Sequence, residues 1–524
     1  MFHRKTRHPF AKEFYLLAPL LLFILAAERT AIFNSRFMKF INIKEAKVMD
    51  IEVNTKKLSF KTKIGYAIGQ MVDSTGYNVY YFFFLFFLTD FAGVPAGIAG
   101  TISLIAIMWD AVTDPIVGNI SDNLKSPYGR RRPMMIGATI PYAICTFLLF
   151  NNVDFGTNAK FAYFVVLAIL FWSCYKTYVI PFFALGAELT DDFNERTTLR
   201  SWASIFLQLA VMLASAAPPL ILEMAGKAGL QGARGWNAVG VIFGLIIILA
   251  SFICWTCTRG GEIVNRAEEK INVEAQEKTN LFRSFVSILK LKPALLLACS
   301  VFLWNVTTVF LSSGAVYALV NLLNASAGKQ STAFVVQCVM GIVWLPLINL
   351  CANKIDKKFT YWAGMGLTAV IMFLFTFIGF GSFPVWLVYV SIFAFGNSVF
   401  WTVYYSMMYD ISELDEFKSG KRREGIISAL MSFFQKLGAA LATWVMGMLL
   451  SFGGYDGTAA VQSESALNMI HNIVTVLPAV FGMAAALFAL AYPITGKRYN
   501  ALMSALKAKR EGKEFTTDGF EKLL

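Results

Sequence analysis

Residues 109–133 have the sequence WDAVTDPIVGNISDNLKSPYGRRRP, which ends an apolar segment, carries two aspartates and leads into a basic loop. The apolar segment covers 95–120, and a helix needs roughly 20 residues to cross the hydrocarbon core of a bilayer. Asp110 and Asp114 are four residues apart, so they share one face of that helix. Charged side chains inside a bilayer are costly and usually functional. This stretch therefore predicts a membrane-spanning helix that carries a functional carboxylate pair.

The composition of the whole chain supports the same conclusion. Of its 524 residues, 57% are apolar and 15% are charged, whereas soluble proteins have about 45–50% and about 25%. The seven cysteines lie inside or at the ends of apolar runs, which does not suggest an extracellular disulfide framework. These values exclude a soluble enzyme, a disordered chain and a disulfide-rich secreted protein. They predict an all-α polytopic membrane protein.

From residue 64 onward, twelve segments are long and apolar enough to cross a bilayer. Their predicted limits are 64–90, 95–120, 134–152, 160–187, 200–224, 236–257, 294–323, 331–353, 360–380, 383–411, 425–453 and 469–493.

Basic residues are distributed asymmetrically among the connections between these spans. Every second connection is rich in Lys and Arg, whereas the opposite ones hold only Lys160, Lys227, Arg234 and Lys329. Because Lys and Arg accumulate on cytoplasmic loops, we expect both ends of the 56–524 core in the cytoplasm. Membrane topology then accounts for the net charge of +13, and no nucleic-acid partner is expected.

Residues 1–55 fit this topology poorly. Four basic residues precede the short apolar run Phe14–Ala27, which resembles the start of a signal peptide more than a span. We interpret 1–55 as an N-terminal extension of the core, with Met49 as an alternative start.

A repeat relates the two halves of the chain. In the second and eighth spans, seven positions separate Pro115 and Pro346 from the polar residues Asp122 and Asn353, which open basic loops. The charged ends of the fourth and tenth spans also match. An offset of six spans predicts two six-helix bundles and an alternating-access transporter with its substrate site between them. The predicted units are 56–257, a cytoplasmic linker 258–292, 293–493 and a cytoplasmic tail 494–524.

Four ordered motifs resemble a known family. Gly118, Asp122 and 129–132 look like the loop signature of the major facilitator superfamily, whose fold the two bundles would form. Residues 109–115, 181–192 and 410–425, followed by Lys436, resemble the glycoside–pentoside–hexuronide:cation symporters. This resemblance covers about 60–495. It implies transport of a sugar or sugar acid, driven by a sodium or proton gradient, by a monomer in the bacterial inner membrane.

The predicted coupling site contains Asp110, Asp114 and Lys176. Two carboxylates on one helix face repel each other unless a cation lies between them, so the pair can bind a proton or a transient Na+. The matching positions of the eighth span hold Gly341 and Leu345, so the pair is not an architectural repeat. In the sodium-coupled members of the family that this chain resembles, a side-chain hydroxyl that helps to bind sodium lies at the position of Lys176. We therefore expect sodium-independent transport, unless Lys176 points into the sugar cavity instead.

The predicted substrate site combines polar and aromatic residues of several spans. Lys176 and Lys436 lie inside spans and should each face a carboxylate or a polar cavity. Aromatic rings can stack on a sugar face. In the family that this chain resembles, an acidic residue of the first span binds the hydroxyl groups of the sugar, and a Trp of the tenth span lies at the position of Tyr405. The full predicted set is Asp73, Tyr77, Lys176, Phe183, Tyr405 and Lys436. Two internal lysines favour an anionic sugar.

Charged residues at the cytoplasmic ends of the spans are predicted to form a salt-bridged gate. These are Asp122, Arg130, Arg131, Arg132, Glu188, Asp192, Arg196, Asp410, Arg422 and Arg423. Single exposed pairs contribute only about 0–1 kcal/mol, so a gate requires a network.

Other functions receive little support from the sequence. The three histidines and the single Cys254–Cys257 pair do not suggest a metal or redox centre. The sequence contains no phosphate-binding loop motif, which argues against an ATP-driven pump. We expect no catalytic residue and no cofactor besides the coupling ion. A lipid or lysolipid transporter, an uncoupled uniporter, and a membrane enzyme or receptor remain alternatives, since eukaryotic lysolipid transporters share much of the pattern.

Overall fold

The computed structural model describes residues 57–124, 131–190, 192–259, 281–421, 423–459 and 461–523. The predicted extension 1–55, most of the linker 258–292, and the gate residues Arg130 and Arg422 lie outside these ranges. Within them the chain forms helices and no β-strand.

Sixteen α-helices make up the described part of the chain. They are α1 Phe60–Asp90, α2 Ala96–Asn123, α3 Arg132–Leu149, α4 Thr157–Glu188, α5 Phe193–Lys227, α6 Ala233–Cys257, α7 Leu281–Leu289, α8 Lys292–Tyr317, α9 Ala327–Val343, α10 Leu345–Lys354, α11 Lys357–Ile378, α12 Phe383–Ser419, α13 Glu424–Phe452, α14 Glu464–Val474, α15 Val476–Ala491 and α16 Gly496–Arg510. A π-helical turn, Ala318–Leu322, extends α8, and a 3-10 turn, Glu521–Leu523, ends the described chain.

All twelve predicted spans coincide with helices. Among the described residues, eleven helical segments are long and apolar enough to cross a bilayer. The remaining predicted span, 64–90, lies within α1, which has 31 residues. Two spans are each built from two helices, α9–α10 and α14–α15. Pro346 and Pro478 follow the two breaks, because a proline removes a helical hydrogen-bond donor.

Several helices extend beyond their predicted limits. The span predicted at 383–411 is part of a helix that continues to Ser419, and the one predicted at 200–224 begins at Phe193. Hydropathy detects only the apolar part of a helix, whereas backbone hydrogen bonding continues into polar residues at its ends. Asp192, for example, caps α5 by accepting a hydrogen bond from the Glu195 backbone N–H at 2.8 Å.

The helix packing repeats between the two halves. Five pairs in the first half have counterparts six spans later in the second. They are α1–α5 with α8–α13, α1–α6 with α8–α15, α2–α4 with α9–α12, α3–α4 with α11–α12, and α3–α6 with α11–α15. Across the halves, α2 packs on α13 and α5 on α9, which are equivalent pairs under the same offset. The structure therefore has the two pseudo-symmetric six-span halves that the sequence repeat predicts.

We call the end of the bundle with the Lys- and Arg-rich connections the basic face and the other end the opposite face. The halves touch closely near the opposite face. Ser313 on α8 donates to the Tyr81 carbonyl on α1 at 2.5 Å, and Ser331 on α9 donates to the Ala216 carbonyl on α5 at 2.6 Å. A Cβ added at Gly447 would lie 2.5 Å from the Ala96 carbonyl oxygen. Small residues at this crossing thus allow α2 and α13 to pack backbone to backbone.

The loop between α13 and α14 covers the end of α1 at the opposite face. The Tyr455 hydroxyl donates to Asp90 at 2.7 Å, and Gly457 lies so close to α1 that an added Cβ would be 2.3 Å from the Thr89 carbonyl oxygen. Burial raises the pKa of Tyr455, so its hydroxyl remains a donor at neutral pH. These contacts close the opposite face.

Candidate functional site

Two aspartates and two lysines meet in the middle of the bundle. Lys176 Nζ lies 3.1 Å from Asp110 Oδ1 and 2.9 Å from Asp114 Oδ1. Lys436 Nζ lies 3.0 Å from Asp110 Oδ2 and also contacts Asp114 Oδ2. Each ammonium therefore bridges both carboxylates. We call these four residues the charge quartet, whose formal net charge is zero.

The fold positions the charge quartet from both halves. Asp110 and Asp114 occupy one face of α2, as their spacing predicts, and α4 and α13 pack on that helix. One turn from Lys176, Trp109 Nε1 on α2 donates to Ser173 Oγ on α4 at 2.9 Å, which fixes the two helices together. Lys436 comes from the second half, so the quartet is one of the places where the halves are joined.

Burial differs between the two carboxylates. The Asp110 side chain is 1% exposed and lies between both ammonium groups, whereas that of Asp114 is 38% exposed. A buried charge is tolerated when opposite charges and hydrogen bonds compensate its lost hydration. The lysines supply that compensation in the place where a bound cation would otherwise be required.

Asp73 on α1 forms a second polar site beside the quartet. The Tyr175 hydroxyl donates to Asp73 Oδ1 at 2.7 Å, and Gln70 Nε2 donates to Oδ2 at 2.5 Å. Tyr175 is the chain neighbour of Lys176, whose Nζ lies 5.2 Å from the centre of the Tyr175 ring. α1 also carries Tyr77, which packs against Tyr175, Tyr81 and Trp172. The predicted residues Asp73, Tyr77 and Lys176 are thus neighbours.

Phe183 and Tyr405 lie apart from these residues, toward the basic face. Their exposed fractions are 37% and 47%, respectively. The Arg200 guanidinium on α5 is 5.2 Å from the centre of the Phe183 ring and close enough to Tyr405 to act on it electrostatically. Among the described residues, Arg200 forms no ion pair. The exposed rings of Phe183 and Tyr405 lie close to the Arg200 cation, and we call the region formed by these three residues the basic vestibule.

The predicted gate residues form ion pairs within each half. Arg131 lies 2.9 Å from Glu188 and 2.6 Å from Asp122 in the first half. In the second half, Lys357 lies 3.2 Å from Asp410 at the equivalent place. These pairs stabilise the ends of the spans without joining the two halves.

The other described gate residues also have local partners. Arg132 donates to the Trp255 carbonyl and packs on its ring, and Arg196 donates to the Thr190 carbonyl at 2.7 Å. Arg423 donates to Asp415 through Nε at 2.8 Å and through Nη2 at 2.5 Å, and these hydrogen bonds raise the pKa of Arg423. Their role as a gate remains a prediction.

The sequence left three features of this arrangement undetermined. It places Lys436 in the substrate site, facing a carboxylate or a polar cavity, and the structure shows that Lys436 lies against the carboxylate pair of α2. Gln70 and Tyr175, which hold Asp73, were not assigned to it, although Gln70 is one helical turn away. Arg200 lies in one of the Lys- and Arg-rich connections of the sequence, and its position there predicts no role at the site. Such partners on other helices become visible only when the helices are packed.

The family follows from comparison with known proteins. The family model described as MFS/sugar transport protein matches residues 65–496. The chain belongs to this family. It is accordingly a multi-pass membrane transporter of the major facilitator superfamily and not an enzyme. The glycoside–pentoside–hexuronide symporter resemblance deduced from its motifs is confirmed by the relatives it matches.

Two curated relatives and one solved structure illustrate the similarity of this MFS transporter to known proteins. It is 29% identical to the uncharacterized symporter sll1374 of Synechocystis, over 88% of this chain and 99% of the relative. It is 26% identical to the glucuronide carrier protein homolog of Escherichia coli, over 87% and 97%. The inward-open xylose transporter XylE of E. coli superposes with a TM-score of 0.58 at 15% identity, covering 85% of this chain and 99% of that one. The similarity to XylE shows a shared fold and nothing further.

Proposed function

We propose that this chain is a proton-coupled, sodium-independent symporter of a sugar acid that works by alternating access. One observation supports the ion choice. Lys176 contacts both carboxylates of the pair on α2, in the position that a bound cation would take.

The strength of that contact can be compared with cation binding. At about 4 Å and an effective dielectric constant near 20, two unit charges interact by roughly 4 kcal/mol. A sodium ion would gain a similar Coulomb energy from the pair, but it must also lose its water. A fixed ammonium therefore competes well with sodium at this place. A proton can still drive transport, because it binds to a single carboxylate.

The substrate class is proposed from the charges that line the route. Arg200 in the basic vestibule is a cation without an ionic partner among the described residues, and the rings of Phe183 and Tyr405 lie beside it. Arginine binds carboxylates well, and aromatic rings can stack on sugars. One relative is named a glucuronide carrier homolog, which agrees with an anionic sugar.

The position of the contacts also supports alternating access. The halves are joined at the opposite face and at the charge quartet, whereas Phe183 and Tyr405 are exposed toward the basic face. If the basic face is cytoplasmic, as the charge distribution predicts, this is an inward-facing state. Movement of one half against the other would then expose the same residues outside.

Counterflow into proteoliposomes tests the substrate class. The matched probes are phenyl β-glucuronide and phenyl β-glucoside, which differ only in a carboxylate and a hydroxymethyl group. We expect exchange of the glucuronide at least tenfold faster, and we expect Arg200→Gln to reduce that preference. Preferential exchange of the glucoside would overturn the sugar-acid proposal, and uptake of lysolipid instead of either probe would favour the lipid alternative.

Replacement of sodium by choline at fixed pH tests the coupling ion. We expect accumulation of the glucuronide to continue in choline and to stop when the pH gradient is collapsed. A requirement for sodium would contradict the proposal. Equilibration without accumulation under either gradient would indicate a uniporter.

A further inference from the structure

The charges around the middle of the bundle do not balance. When all five groups are ionised, Asp73, Asp110 and Asp114 carry three negative charges, and Lys176 and Lys436 carry two positive ones. The ionised cluster therefore has one excess negative charge. Uncompensated charge is costly inside a membrane, and a bound sugar anion would raise the excess to two, so one additional cation is needed before the two halves can close around the loaded site.

The excess charge resides on Asp73. The carboxylates of the quartet each contact two ammonium groups, and protonating either of them would sacrifice those ion pairs. Asp73 has only neutral hydrogen-bond donors, Tyr175 and Gln70, and it forms no ion pair in the part of the chain that the structure describes. Protonating Asp73 sacrifices no ion pair.

Asp73 is also less enclosed than the quartet carboxylate nearest to both lysines. Its side chain is half-buried, whereas Asp110 is almost completely enclosed. Protonation of Asp73 does not require disassembly of the quartet.

The groups that face Asp73 come from several helices. Lys176, Tyr175 and Tyr178 lie on α4, Asp110 on α2, Tyr142 on α3, and Tyr66 and Tyr77 on α1 itself. From α6, Cys254 approaches Tyr178, and from α5, Arg200 approaches Tyr66. Lys176 is the one cation among these that acts directly on Asp73, and its ammonium is already held by the pair on α2.

We propose that Asp73 carries the coupling proton, one per transport cycle, while the charge quartet stays ionised throughout. This assignment rests on the proposed proton symport. Hydronium on the side where the proton is taken up transfers H+ to an Asp73 oxygen and leaves water. The loaded site then carries one excess negative charge, as the empty ionised cluster does, and the halves can close around it. On the other side the Asp73 O–H bond breaks, the proton passes to water, and the empty transporter returns with Asp73 ionised. Asp110, Asp114, Lys176 and Lys436 act as positioning residues.

The test uses the full chain in proteoliposomes with phenyl β-glucuronide, and it compares Asp73→Asn with wild type. We expect the variant to retain counterflow exchange within about threefold. We expect its accumulation ratio to fall to one and its substrate-dependent proton uptake, followed with an internal pH dye, to disappear. Asp73→Glu should restore both. Glu223→Gln, a change to an exposed carboxylate of α5 that pairs with Lys227, is the control and should leave coupling intact.

An infrared pH titration of the same protein in lipid, without substrate, gives an independent readout. We expect a protonated-carboxyl band that is lost in Asp73→Asn and kept in Glu223→Gln. Normal accumulation and proton uptake by Asp73→Asn would overturn the assignment of Asp73 and leave proton symport standing. Simultaneous loss of exchange and accumulation in that variant would show that Asp73 binds substrate instead. Wild-type accumulation driven by sodium alone would overturn the proton symport itself.

Discussion

Lys176 on α4 lies 2.9 Å from Asp114 on α2, and its ammonium thereby occupies the space between two carboxylates of the same helix face. A lysine in this position carries a permanent counter-ion into the membrane. The repulsion expected between Asp110 and Asp114 is offset by covalently attached charges and does not require a bound metal ion. This relationship leads to the first two predictions.

Asp110→Asn and Asp114→Asn should each abolish gradient-driven accumulation but leave some exchange. Removing one partner of a buried ion pair costs about 3–5 kcal/mol, because the remaining charge is uncompensated. We therefore also expect a lower thermal unfolding temperature, and a larger decrease for the more deeply buried Asp110. Uptake and counterflow in vesicles, together with thermal unfolding in detergent, measure these effects. Normal accumulation in both variants would show that the charge of this pair does not control coupling.

Lys176→Thr should create a requirement for sodium. The substitution removes a contact of roughly 4 kcal/mol and introduces a hydroxyl ligand, so stimulation by sodium of about tenfold or more is energetically accessible. Initial uptake rates in sodium and in choline measure it. Lys227→Thr, which changes an exposed lysine of α5 that pairs with Glu223, is the matched control and should remain insensitive to sodium. If uptake by both variants is equally insensitive to sodium, Lys176 is not what excludes sodium from the carboxylate pair.

Gly457→Val should open the opposite face. An added Cβ would approach the Thr89 carbonyl oxygen to 2.3 Å, so the loop between α13 and α14 must move away from the end of α1. Spin labels at positions 154 and 461, in a background with the seven cysteines replaced by serine, should report a longer distance than in the parent. Gly137→Val is the control, because an added Cβ there meets nothing within 4 Å. An unchanged distance in Gly457→Val would mean that the loop does not hold this face closed.

Transport of a sugar acid should be electroneutral. One proton and one monovalent sugar anion carry no net charge together, so a pH gradient should drive accumulation and a membrane potential alone should not. Uptake of phenyl β-glucuronide under an imposed potassium diffusion potential, at equal pH on both sides, tests this expectation. Potential-driven accumulation would show that additional positive charge crosses with each substrate.

The pattern of residues was sufficient to predict the spans, their number and their repeat. Each span must satisfy its backbone hydrogen bonds within itself and present an apolar surface to lipid, so every helix leaves a local signature in the sequence. The spacing of Asp110 and Asp114 was equally informative, because a shared face depends only on helical geometry.

The assembly of the site depended on tertiary structure. Lys436 is more than 300 residues from Asp110, and Asp73 is about 100 residues from Tyr175, so no local period relates these partners. Their proximity arises from the packing of α1 beside α4 and of α2 against α13, which the sequence does not encode locally. The sequence therefore identified which charges enter the membrane. Only the packed helices decided which of them neutralise one another, and within the described ranges they left Asp73 without an ion-pair partner.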